Sequence, residues 1–67
     1  MSTDPRPDRV EIYADASGQY RWRRKAPNGR IVADSGESYT RAGDCLEAAE
    51  RVFKGQMLEW VVPERGE

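Results

Sequence analysis

The chain opens its ordered part with a strict alternation. Val10-Glu11-Ile12-Tyr13 switches between apolar and polar at each step, the period-two pattern of a half-buried strand. A polar turn follows at Asp15-Ala16-Ser17-Gly18, where Gly18 can take φ > 0. Gln19 to Ala26 reads as a second strand and Arg30 to Asp34 as a third. Between them, Asn28-Gly29 predicts a two-residue type I′ loop, which requires φ > 0 at both central residues. After the loop from Ser35 to Tyr39 the period lengthens. Ala42, Cys45, Leu46, Ala49, Val52 and Phe53 recur at three- and four-residue steps, so they form one apolar helical stripe. Thr40 is its expected N-cap and Lys54-Gly55 its stop. Met57-Leu58-Glu59-Trp60-Val61-Val62 is a short apolar strand ended by Pro63. The expected fold is α+β: a β-β-β-α-β unit, an antiparallel sheet with one helix packed on one face.

Pattern also sets register. The Asn28-Gly29 loop pairs Pro27 with Arg30, and hence Arg24 with Ala33 and Arg23 with Asp34. In the first hairpin, Ile12 must face Trp22 and Glu11 must face Arg23, since a one-residue slip would mix core and charge on one face. The inner face then holds Val10, Ile12, Tyr20, Trp22, Ala26, Ile31 and Ala33, and the outer face Glu11, Tyr13, Arg21, Arg23, Lys25, Arg30, Val32 and Asp34. Arg24 is the misfit. It shares the core face, so it must lie at the sheet's end, carry its head to water, or meet another chain.

Length and composition narrow the remaining choices. Sixty-seven residues allow one domain, expected over 9–63, with polar, disordered segments at 1–8 and 64–67. A chain this short buries about 60% of its unfolded surface and gains stability from disulfides, a metal or a partner chain. Cys45 is the sole cysteine and there is no histidine, which leaves no internal disulfide and no zinc site. Self-association remains. The last strand points the same way, because Leu58, Trp60 and Val62 alternate with Met57 and Val61, and a strand apolar on both faces needs cover on both. A homodimer is expected, with Arg24, Met57, Leu58, Trp60, Val61 and Val62 at its interface. No apolar run approaches the length of a membrane span, and a single free thiol fits a reducing, cytoplasmic setting.

The residues Val10-x-Ile12-Tyr13, Tyr20-Arg21-Trp22-Arg23, Asn28-Gly29, Ile31, Ser35 and Tyr39, ahead of an alanine-rich helix, resemble the YegP-like family, a domain of unknown function also called DUF1508. The resemblance covers residues 9 to 54. It implies dimers or tandem repeats of a β-β-β-α-β unit, with the C-terminal strand exchanged between units, and it brings no established activity. Two positions depart from the family pattern. Arg24 stands where an apolar residue is usual, and Ser38 where the loop commonly has glycine.

Candidate chemistry is sparse. Arg21, Arg23, Lys25 and Arg30, with Tyr13 as a stacking residue, could contact a single-stranded nucleic acid or another anion. The plainer reading is a solvated sheet face whose charges pair with Glu11 and Asp34. The formal net charge of -1 and an inward Trp22 favour it. Ser35 to Thr40 could hold a small anion at the helix N-terminus or could simply be the β-to-α connection. Cys45, on the apolar stripe beside Asp44, reads as a core thiol. No carboxylate pair has an acid/base setting, and no cofactor or metal is expected. The composition therefore suggests a non-enzymatic accessory or protein-interaction module, with weak nucleic-acid or anion binding as the alternative.

Overall fold

The structure, a computed structural model, describes residues 6–63, so the expectations for 1–5 and 64–67 lie outside it. Its elements follow the predicted order: β1 (Arg9–Ala14), β2 (Tyr20–Lys25), β3 (Ile31–Asp34), α1 (Ala42–Val52) and β4 (Glu59–Val61). They form one four-stranded sheet in the order β3-β2-β1-β4.

The first hairpin has the register that the hydrophobic pattern demands, with Ile12 opposite Trp22 and Glu11 opposite Arg23. In the second, Arg23 faces Asp34 and Arg24 faces Ala33 as expected. The loop itself differs from the type I′ expectation. Among the described residues none other than glycine has positive φ, so Asn28 stays on the negative side and in this loop only Gly29, at φ +90°, crosses over. The Gly29 N–H closes a turn onto the Ala26 carbonyl, and Pro27 occupies the second turn position, for which its fixed φ suits it. The loop is thereby one residue longer, and Ala26 rather than Pro27 bonds to Arg30. A bulge restores the register beyond Lys25 and Ile31. The bulge also moves Ile31 opposite Lys25, and Ile31 is 52% exposed rather than in the core.

The sheet is mixed, not antiparallel. β3 runs with β1, since each is antiparallel to β2. A helical crossover out of β3 returns the chain for a strand in the same direction, so β4 joins β1 in parallel, with Arg9, Val10 and Glu11 beside Glu59, Trp60 and Val61.

Helix α1 lies over β1 and β2. Val10, Ile12, Trp22, Cys45, Ala49 and Phe53 are buried between the layers, and Tyr20, Ala33, Tyr39, Leu46, Leu58 and Trp60 pack around them. Trp22 and Phe53 meet edge to face with ring centroids 5.1 Å apart, a geometry that adds about 0.5–1.5 kcal/mol beyond the area buried. Val52, the last helical residue, is exposed while its neighbour Phe53 takes the core position. Thr40 does not cap the helix. Arg41 holds the N-cap place with extended backbone and no side-chain hydrogen bond, and its carbonyl accepts the Cys45 N–H. Asp44 lies in the first turn, where a negative charge is favoured, and Gly55 at φ +83° turns the chain out of the helix end.

Candidate functional site

The outer face of the sheet carries the residues with the strongest sequence case for binding. Pleating alternates side chains across β2, which turns Trp22 inward and Arg21, Arg23 and Lys25 outward. What surrounds those three cations decides what they can do.

Each meets a carboxylate of its own chain. Arg21 Nε donates to Asp15 Oδ2 at 2.9 Å, and Arg23 Nε donates to Glu11 Oε1 at 2.8 Å. Lys25 Nζ lies 3.7 Å from the same Glu11 oxygen, and Arg9 reaches the other at 3.5 Å. Glu11 is thus the hub of the face, its side chain only 14% exposed. The Arg23 hydrogen bond holds its carboxyl below the usual range, against the opposing effect of burial. Tyr13 is occupied as well, since the Arg23 guanidinium carbon lies 4.3 Å from its ring centroid. Asp34 faces Arg23 in the register, but Glu11 takes the hydrogen bond.

Asp15 has a second duty that composition alone does not reveal. Its Oδ1 accepts from the Ser17 hydroxyl at 2.7 Å, the Ser17 N–H at 2.9 Å and the Gln19 N–H at 3.0 Å. The β1–β2 turn is therefore built on this carboxylate, whose pKa falls well below the ordinary value, first through the Ser17 hydroxyl and then through Arg21. An Asp-x-Ser step at a turn was the available signal. Arg30 stands apart, exposed at the tip of the second hairpin.

Arg24 finds its partners on the inner side. Its Nε donates to Asp8 Oδ2 at 2.8 Å, its Nη1 donates to Gln56 Oε1 at 3.0 Å, and its guanidinium carbon lies 5.1 Å from the Phe53 ring centroid. Asp8, which composition assigns to the lead-in, is bound into the fold twice, because its carbonyl also accepts the Glu59 N–H.

The loop after β3 leaves the sheet and returns. Tyr39 exchanges both backbone hydrogen bonds with Tyr20, and the intervening polar groups bond inward. The Ser35 hydroxyl donates to the Glu37 carbonyl at 3.0 Å, and Ser38 Oγ donates to Gln19 Oε1 at 2.6 Å. Desolvation, helped by the Glu37 carboxylate, raises the Tyr39 phenol above its usual value. Two hydroxyls that could have faced an anion are thus engaged, that of Ser35 within the loop and that of Ser38 with Gln19 ahead of β2.

Cys45 is fully buried, and burial pushes its thiol up to about 11, away from the nucleophilic form. A cleft lined by Arg6, Pro7, Arg9, Ala26, Pro27 and Glu59 holds about 30 Å³, room for little more than water, whereas ligand pockets start near 300 Å³.

The comparisons place this architecture among known proteins. The model of a domain of unknown function, DUF1508, matches residues 15–54. The chain belongs to the DUF1508 family. A UPF0339 protein of Neisseria meningitidis serogroup B is 52% identical over 40 residues, which is 60% of this chain and 70% of that protein. A UPF0339 protein of Treponema denticola is 44% identical over 46 residues, 69% of this chain and 78% of its own. Among solved structures, the solution structure of a Haloferax volcanii protein is similar with a TM-score of 0.66 and 38% identity, covering 70% of this chain and 78% of that one. The matched DUF1508 segment runs from Asp15 to Lys54, so it includes the carboxylate-built turn, β2, β3 and α1 but not β4. No helix among the described residues is long and apolar enough to cross a membrane.

Proposed function

We propose that this DUF1508 protein is a non-enzymatic interaction module of the cytoplasm that acts as a homodimer, each chain lending β4 to the other's sheet. One observation carries the reading. β4 is a three-residue strand on the open edge of the sheet, and while Leu58 and Trp60 pack on the core, Met57, Val61 and Val62 stay exposed. The open edge of a sheet presents unpaired backbone N–H and C=O groups to which another chain can add, and apolar side chains left exposed beside it favour such a contact. A second copy satisfies the strand by two-fold symmetry, the commonest closed arrangement. It also enlarges the core, which in a chain this short is marginal.

The pairing of Arg21, Arg23 and Lys25 with Asp15 and Glu11 favours this reading over nucleic-acid binding, since carboxylates close to the three cations offset the charge that would attract a phosphate. Light scattering after size exclusion tests the assembly. A mass twice 7.6 kDa at micromolar concentration supports it, and 7.6 kDa sinks it. Titration of a labelled single-stranded oligonucleotide at low salt tests the rival, where binding in the micromolar range that steepens as salt falls would replace the proposal.

A further inference from the structure

We infer that Lys54–Leu58 is the hinge of β4, and that Arg24 and Gly55 together set whether β4 closes on its own chain or on a second copy. The inference rests on the homodimer reading above and names what regulates it.

The connection from α1 to β4 is short and turns sharply. Phe53 ends the helix, the Gln56 N–H donates to the Phe53 carbonyl at 3.1 Å, and Gly55 between them sits at φ +83°. A side chain at Gly55 would meet no atom within 4 Å, so its requirement for glycine is one of backbone conformation alone. Any other L-residue is disfavoured in that conformation by roughly 1–2 kcal/mol and would prefer a more extended chain. An extended hinge carries β4 away from its own β1.

Arg24 holds the turned conformation from the other side. Its contacts with Asp8 and Phe53 involve residues that precede the hinge, and both survive if β4 departs. Its hydrogen bond to Gln56 spans 32 residues and exists only while the chain turns back after Gly55. In an exchanged dimer the strand pairing of β1 with β4 is re-formed between chains, so it cancels from the balance. What does not cancel is the hinge: the Gly55 conformation and the Arg24–Gln56 bond. The arginine at a position where the core pattern calls for an apolar side chain thus has a specific consequence, a polar fastening on the segment that must open.

The test uses the Arg9 and Glu59 pair, neighbours in the parallel register and both exposed. Arg9→Cys with Glu59→Cys in a Cys45→Ala background can form a disulfide within one chain if β4 is closed and between two chains if it is exchanged. The covalent-dimer fraction on a non-reducing gel is then read for the parent and for added Gly55→Ala or Gln56→Ala. Gly55→Ala should shift the exchange equilibrium toward the dimer by at least about tenfold. Gln56→Ala should shift it the same way by a smaller factor. An unchanged dimer fraction in both variants, with a dimeric parent, overturns the hinge assignment and leaves the homodimer. Intrachain bonds alone, in the parent and in both variants at every concentration, overturn the exchange reading as well.

Discussion

The backbone N–H of Trp22 donates to the side-chain hydroxyl of Ser35 at 3.2 Å, while the Ser35 N–H donates to the Trp22 carbonyl at 2.9 Å. A side chain thus completes the β2–β3 ladder at the point where the main chain departs into the loop. Removing the hydroxyl leaves a buried donor without a partner, which costs about 1–3 kcal/mol. Ser35→Ala should lower stability by that amount, read from the urea midpoint with an unchanged slope, and Ser35→Thr should recover most of it.

Arg24 provides a contrast between losing a partner and replacing one. Its side chain is 23% exposed and lies against Phe53. Arg24→Ala removes both the ion pair and the cover on the ring, and should destabilise the fold by about 1–2 kcal/mol. Arg24→Leu restores apolar cover, and replacing a partly buried ion pair by a well-packed hydrophobe is often neutral or better. Its urea midpoint should lie close to wild type.

Two carboxylates fix the acid limb of stability. Asp15 and Glu11 have pKa values depressed in the folded chain relative to ordinary values of 3.8 and 4.5. The unfolded state therefore takes up protons first as pH falls, so their contribution is complete above those ordinary values and is lost progressively below them. The melting temperature should be flat from neutral pH to about pH 5 and fall beneath it. Asp15→Asn should lower the neutral plateau and make that fall shallower, as should Glu11→Gln. A fall of unchanged steepness in both variants would assign it to other groups.

Cys45 should be silent until the domain opens. A buried thiol pushed up to about 11 has roughly one thiolate in a thousand at pH 8. Labelling by an aromatic disulfide reagent should take hours in the native protein and about minutes in concentrated urea. Fast labelling under native conditions would place the thiol in an accessible pocket.

The inner and outer faces of β1 and β2 were legible because alternation and register leave one arrangement that separates Ile12 and Trp22 from Glu11 and Arg23. The DUF1508 motifs lie in the same region, which is why the family and the fold could be read together. The hairpin loop was harder. Asn28-Gly29 signals one turn and Pro27 another, and the proline prevailed, with a bulge downstream as the result. The two partners of Arg24 differ in this respect. Asp8 lies two residues before Val10, which faces Arg24 in the first hairpin, so the register itself brings it near, whereas Gln56 is 32 positions away and only the path of the chain after α1 delivers it. Likewise, the direction of β4 follows from the crossover rather than from its own residues, whose alternation suits either direction.

The parallel pairing of Arg9 with Glu59 joins positions fifty residues apart, whereas the two hairpins close across turns of a few residues. Short loops close first, and contacts between distant positions come late. Under the exchange proposed above, β1 would then receive its β4 neighbour last, so closure within the chain would compete with encounter between chains. Protein concentration at the moment of folding, and not only afterwards, would enter into which strand fills the edge.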